Sequence, residues 1–253
     1  MGTLFVVATP IGNLSDISSR ALETLRNVDL IACEDTRQTL KLLSHFGIQK
    51  PLTSYHEFNE REKSVELAGK IEHGGSIALV SDAGTPAISD PGYRLVRLCR
   101  ERNLTVVAIP GANAAITALS ASGLPSDNFA FVGFLPPRKS ARSEQLESLR
   151  SYRGTLLFYE SPHRVLSTLQ DMQEIFGDRE TCIGRELTKL HEEYVFGKFS
   201  EVRGRIKEIG EFVIVVGGFT GATEPTQTKL TREAVLKTLG ISRNELYDLF
   251  FKK

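Results

Sequence analysis

The 253-residue chain balances 31 Lys+Arg against 31 Asp+Glu, so no global field draws it to a polyanion, and a nucleic-acid partner would have to meet a local basic patch. Its length accommodates two modest domains. Three widely spaced cysteines, Cys33, Cys99 and Cys182, form no CxxC pair, which argues against a disulfide framework or a zinc site and points to a reducing cytoplasm.

The opening MGTLFVVATPIG has no basic leader, and its apolar run of about five residues is too short for a signal peptide or a membrane span. It reads as a first strand. LFVVA (4–8), DLIAC (29–33), SIALVS (76–81) and TVVAIP (105–110) are short Val/Ile-rich runs separated by stretches of helical periodicity, the pattern of βαβ units on a mostly parallel sheet. Gly47 and the Gly74-Gly75 pair stand where helices need a left-handed stop. The turn cluster SGLPSDN (122–128) marks a boundary between an N-terminal α/β domain, 1–123, and a C-terminal domain, 124–220. There NFAFVGFLP, TLLFYE, ETCIGRE, YVFGKF and EFVIVVGGF are five strand candidates with fewer helices between them, so a mixed sheet with some antiparallel pairing is expected. GATEPTQTK (221–229) reads as a linker. The last segment, 230–253, reads as two short amphipathic helices split at Gly240, the second opened by a capping box of Ser242 and Glu245.

Three of the first-half strands end in Pro/Gly chemistry: VATPIGN (7–13), VSDAGTP (80–86) and VAIPGAN (107–113). In an open parallel sheet such loops share the carboxyl edge, where ligands bind, although any one of them could be an ordinary βα turn. The chain contains neither G-x-G-x-x-G nor G-x-x-x-x-G-K-[ST], and none of the three loops has a lysine or arginine to meet a pyrophosphate. Prolines fix φ and remove donors, leaving a stiff wall with a few peptide groups and the Asp82 carboxylate. Such a wall suits a neutral or cationic ligand held by shape and backbone hydrogen bonds. S-adenosylmethionine, with its sulfonium, ammonium and uncharged adenosine, meets that description; NAD and ATP meet it poorly.

VATPIGNLSDISSRALETLRNVDLIACEDTRQT, SYHEFNE, VSDAGTPAISDPG, IPGANAAITALSASGLP, GFLPPRK, YESPHRV and RELTKLHEE together resemble the ribosomal RNA small-subunit methyltransferase I family, a branch of the tetrapyrrole methylase (class III methyltransferase) superfamily. The resemblance covers about residues 3–217. It implies a two-domain α/β fold with a short helical tail, S-adenosylmethionine in the cleft between the domains, and usually a homodimer. The implied product is 2′-O-methylcytidine in the decoding region of 16S rRNA, in the small ribosomal subunit. It also implies that Ser81, Asp82, Ala83, Pro86, Ile88, Asn113, Ala114 and Ala115 hold the methionine part, that Tyr159, Leu187 and Phe212 hold the adenosine, and that Pro10 lies on the cleft floor. Phe58 stands where that family more often has a second histidine.

Methyl transfer from a sulfonium chiefly requires alignment of a nucleophile within about 3–3.5 Å and exclusion of water. A ribose hydroxyl is a poor nucleophile, so a positioned base would contribute roughly 10²–10⁴-fold. Glu34 and Asp35, ending a strand in ACEDTRQT, are the candidates, one of the two pointing into the cleft. Arg37 beside them could hold a flanking phosphate. The alternative for all three is a helix N-terminus with acidic capping and a local ion pair. His56 could be a base or an RNA contact. Ser161, His163 and Arg164 follow another strand end, with Pro162 at the first position of a helix and Arg164 facing RNA. Arg138, Lys139 and Arg142, then Arg185 and Lys189, form the candidate basic patch. The target is expected to be non-helical RNA, whose ribose a protein cleft can reach. A tetrapyrrole-type small-molecule methylase, or a binder acting through the helical tail, are the competing readings.

Overall fold

The computed structural model describes residues 2–221. The described residues as far as Phe219 form one compact unit. The helical tail expected at 230–253 and all but Gly221 of the expected linker lie outside the described residues.

The first half alternates strand and helix: β1 (Thr3–Val7), α1 (Ser19–Asn27), β2 (Leu30–Cys33), α2 (Thr36–His45), β3 (Leu52–Ser54), α3 (Glu60–Glu72), β4 (Ser76–Val80), α4 (Tyr93–Glu101), β5 (Thr105–Ile109) and α5 (Ala114–Ala121). All five strands pair in parallel, in the order β3-β2-β4-β1-β5. Successive strand residues face opposite sides, so both faces can be covered. Val7, Ile31, Cys33, Ala78 and Val80 pack with Ala21 and Leu25 of α1 and Leu43 of α2. Leu4, Ala32, Ile77 and Leu79 pack with Leu67 and Ile71 of α3 and Leu95 and Cys99 of α4. Helix α1 starts at the Ser18 cap, whose hydroxyl accepts the Ala21 amide at 3.1 Å. Gly47 and Gly74 take positive φ just past α2 and α3, as helix stops require.

The second half builds β6 (Phe129–Phe134), α6 (Lys139–Leu149), β7 (Thr155–Glu160), α7 (Val165–Phe176), β8 (Glu180–Arg185), β9 (Glu193–Lys198), α8 (Phe199–Val202) and β10 (Phe212–Val216). The sheet order is β6-β7-β10-β8-β9, with β6 and β7 parallel and the other neighbours antiparallel. One face, with Leu156, Phe158, Ile183 and Ile214, buries Leu146 of α6, Leu169 and Met172 of α7, and Phe199 of α8. The opposite face, with Leu157, Cys182, Val213 and Val215, buries Ala115, Ala118 and Leu119 of α5. Helix α5 thus follows the last strand of one sheet and packs on the other, which sets the carboxyl edge of the first beside the edge of the second where β7 ends and β10 begins.

One sequence expectation is corrected, and one strand is added. Pro162 lies in a turn over residues 162–164 rather than at the first position of a helix, because α7 begins only at Val165. Residues 52–54 form a strand that the sequence does not announce, since LTS is too short and too polar to read as one.

Candidate active site

Parallel pairing puts the loops after β4, β1 and β5 side by side on one edge, and hydrogen bonds join them. The Thr9 amide donates to Gly84 O at 2.8 Å and the Gly84 amide to Thr9 O at 3.1 Å. The Thr9 hydroxyl donates to Ser81 O at 3.1 Å, and the Thr85 hydroxyl to Ala112 O at 3.2 Å. The loop after β1 also meets the loop after β8, where the Asn13 amide donates to the Thr188 hydroxyl at 3.1 Å. Gly12 makes that approach possible: a Cβ there would sit 2.4 Å from Lys189 Cγ. Four non-glycine residues in these loops, Ala87, Ser89, Glu186 and Thr188, have positive φ, a strained conformation retained where the surroundings impose it.

Between the edges lies a cavity of about 390 Å³, mostly apolar, within the usual range for small-molecule sites. From the first sheet it is lined by Ile11, Ala83, Gly84, Thr85, Ile88, Ser89, Asp90, Asn113 and Ala114. The second sheet contributes Phe134, Tyr159, Glu160, Ser161, Pro162, Leu187, Glu211, Phe212 and Val213. Tyr159 is held edge-on by Phe131 and Phe134, with ring centroids at 4.9 and 5.5 Å, and its hydroxyl accepts the Ala115 amide at 3.3 Å. Asn113 caps α5, its side-chain oxygen accepting the Ile116 amide.

Of the expected cofactor residues, Ala83, Ile88, Asn113, Ala114, Tyr159, Leu187 and Phe212 line this cavity. Pro10, Ser81, Pro86 and Ala115 are buried behind its wall. Asp82 turns aside, accepting the Asp35 amide at 3.1 Å, so the carboxyl of this loop that faces the cavity is that of Asp90. Burial, then the Glu34 charge, push Asp90 up to about 6 against a hydrogen bond from Ser81.

Glu34 and Asp35 follow β2, next to β4 on the same edge, but neither lines the cavity. Burial and then Asp82 raise the Glu34 carboxyl above its usual range, with His56 opposing. Asp35 caps α2, and its carboxylate is paired with Arg37 at 2.7 Å. Hydrogen bonds from the Arg37 side chain and amide bring it down to about 2. The cap and ion pair therefore account for Asp35, which is no longer a candidate base. Arg37 remains 86 % exposed. His56 is half-buried, within hydrogen-bonding distance of Asn59.

The expected basic patch divides. Arg138 is exposed, and Lys139 keeps 67 % of its side chain in solvent beside Asp171. Arg142 is buried, with its Nε and a terminal nitrogen both 2.6 Å from Asp171 Oδ2, so it is removed from the RNA-facing set. Arg164 pairs with buried Glu160 and donates to the carbonyls of Leu135 and Pro136, bracing the loops after β6 and β7. Arg185 pairs with Glu193, and Lys189 with Glu186 and Glu211. These three are engaged within the fold. The sequence reading missed Ile11, Thr85, Ser89, Asp90, Phe134, Glu160, Glu211 and Val213 in the lining.

The family model described as Tetrapyrrole (Corrin/Porphyrin) Methylases matches residues 3–203, which carry most of both walls of the cavity. The chain belongs to the tetrapyrrole methylase family. It is 51 % identical over 229 residues to a ribosomal RNA small subunit methyltransferase I of Halalkalibacterium halodurans, an alignment covering 89 % of this chain and 79 % of that one. It is 48 % identical over 251 residues to the protein of the same name from Escherichia coli O157:H7, covering 97 % and 86 %. The fold matches the crystal structure of the uroporphyrin-III C-methyl transferase from Thermus thermophilus complexed with S-adenyl homocysteine, with a TM-score of 0.59 at 18 % identity over 85 % of this chain and 97 % of that one. Membership of the tetrapyrrole methylase family makes the chain an S-adenosylmethionine-dependent methyltransferase. Its cavity fits that donor: no lysine or arginine is among the lining residues, three acidic residues are, and aromatic and aliphatic side chains supply much of the remainder.

Proposed function

We propose that the chain transfers a methyl group from S-adenosylmethionine to the ribose 2′-hydroxyl of a cytidine in the decoding region of 16S rRNA, acting in the cytoplasm as a homodimer on the small ribosomal subunit. The observation that carries this reading is the cavity between the two sheet edges, whose lining includes a carboxyl and lacks the cations a diphosphate would require. The names of relatives about half identical to this chain direct it toward rRNA.

The donor supplies an activated methyl group on a positively charged sulfur. The charges of Glu34 and Asp82 raise the proton affinity of Asp90 at this edge, and a bound cation relieves that repulsion. Ala83, Ile88, Asn113 and Ala114 hold the methionine part, while Tyr159, Leu187 and Phe212 face the adenosine. The hydrogen-bonded loops keep the walls fixed, so alignment costs little reorganisation and water is excluded when RNA closes the mouth. Arg37, Arg138 and Lys139, the exposed cations of the expected set, hold phosphates of a non-helical strand.

Incubating the protein with donor and small subunits from cells lacking it, then digesting the rRNA for nucleoside mass spectrometry, tests the reading. A gain of 2′-O-methylcytidine is expected. Methylation of a base, or of a precorrin with none on RNA, refutes it.

A further inference from the structure

Transfer to a hydroxyl releases a proton, and the group that takes it must reach an oxygen lying about 3–3.5 Å from the transferred carbon. The acceptor therefore has to line the cavity that holds the donor. Among the described residues four titratable side chains do so: Asp90, Tyr159, Glu160 and Glu211.

Three of them are committed elsewhere. The Glu160 carboxylate accepts the Ser161 amide at 2.8 Å and the Thr168 hydroxyl at 2.7 Å, and Arg164 stands 3.3 Å from it. Glu211 is 80 % exposed and paired with Lys189 at 2.9 Å. The Tyr159 hydroxyl accepts the Ala115 amide, and burial holds its proton more tightly than in a free tyrosine. Asp90 forms no ion pair among the described residues, and its loop is set by two left-handed residues, Ala87 and Ser89, with the Ala87 amide donating to Pro91 O at 3.3 Å.

We propose that Asp90 accepts the proton of the attacking 2′-hydroxyl, a role that rests on the methyl-transfer reading above. The O2′ electron pair forms the new O–CH₃ bond, the S–CH₃ bond breaks with its pair going to sulfur, and the hydroxyl proton passes to the Asp90 carboxylate and then to water. No further reactant is required. Glu34 is a positioning residue here: it acts on Asp90 through charge and lies outside the lining. The groups that face Asp90 are Glu34 beyond β2, Ser81 and Asp82 beyond β4, and Tyr159 at the end of β7. Burial, Glu34 and Asp82, against the Ser81 hydrogen bond, raise Asp90 to about 6, so at neutral pH it is a carboxylate ready to take a proton.

The test is the pH profile of single-turnover methylation of small subunits, run beside calorimetric binding of S-adenosylhomocysteine. The wild-type rate should rise tenfold per pH unit along an acid limb and level above it, the limb ending at or below about pH 6 because the bound donor's positive charge favours the carboxylate. Asp90→Asn should lower the rate about 10²–10⁴-fold and abolish the acid limb, while S-adenosylhomocysteine affinity falls far less than the rate. Glu34→Gln should move the limb to lower pH, a displacement that a merely structural role would not produce. An Asp90→Asn protein that keeps the wild-type rate, or a limb that Glu34→Gln leaves in place, overturns the assignment. Loss of S-adenosylhomocysteine affinity in Asp90→Asn in proportion to the loss of rate also overturns it, since Asp90 would then be a clamp for the donor's ammonium group. Failure of the wild-type protein to methylate rRNA would instead refute the underlying functional reading.

Discussion

Replacing Arg142 by Met separates the two roles open to that residue. Its side chain is 7 % exposed and that of Asp171 is 4 %, with two guanidinium nitrogens 2.6 Å from one carboxylate oxygen. Removing one member of so buried a pair typically costs about 3–5 kcal/mol, because the other charge is left without its partner. Lys139 Nζ remains 3.4 Å from the other Asp171 oxygen, but a side chain 67 % exposed compensates weakly, so a loss of about 3 kcal/mol is expected. The double variant Arg142→Met with Asp171→Leu should recover most of that, since an apolar pair of similar volume removes both charges together. Urea unfolding at constant m-value reads both quantities. RNA affinity measured against salt should keep its wild-type slope in the double variant. Unchanged stability in Arg142→Met, joined to a slope shallower by about 0.7, would mean that the guanidinium meets phosphate after all.

Other consequences can be checked on the same protein. Gly84→Ala places a methyl 3.4 Å from Ile11 Cγ2 at a residue with φ +82°, and should cost about 1–2 kcal/mol in urea melts and weaken S-adenosylhomocysteine binding in calorimetry. Neutralising Arg138 and Lys139 together with Gln should flatten the salt dependence of RNA binding by about 1.4 if both meet phosphate on a single strand, without altering affinity for the donor product. Asp90 titrates higher in the fold than in the unfolded chain, so between about pH 4 and 6 the folded state binds the extra proton and stability falls as pH rises. Asp90→Asn should remove that decline in ligand-free protein followed by urea unfolding across the window, and an identical slope in both proteins would show that another group causes it.

The first sheet was legible because a parallel strand covered on both faces becomes an unbroken apolar run, as in SIALV. The gathering of three loops at one edge followed from parallel pairing and their Pro/Gly composition. Which atoms of those loops face the ligand was not legible. Asp82 and Asp90 are both acidic, stand on either side of Pro86 and differ in where the chain points them. That direction is set by positive φ at Ala87 and Ser89, residue types that carry no compositional mark of it. Arg142 was misread for a similar reason: its fate depends on Asp171, 29 positions away on α7, and no periodicity within KSARSEQLESL identifies the helix opposite. Glu160, Glu211 and Phe134 were missed because the mixed sheet brings together ends of β6, β7 and β10, an order that hydrophobic pattern does not determine.

Overall neutrality takes on a specific meaning once charges are placed. The cations sequence assigned to RNA split into those spent on internal acids, Arg142, Arg164, Arg185 and Lys189, and those left in solvent, Arg37, Arg138 and Lys139. Around the cavity the balance is reversed, with Glu34 and Asp82 close enough for their charges to act on Asp90. A polyanion and a cationic donor ask for opposite fields, and one chain can serve both only if the fields are local. At an ionic strength of 0.15 M they are, because screening confines each to about 8 Å. The acids can therefore favour the donor within the cavity while the exposed cations meet phosphate outside it, with a chain of no net charge.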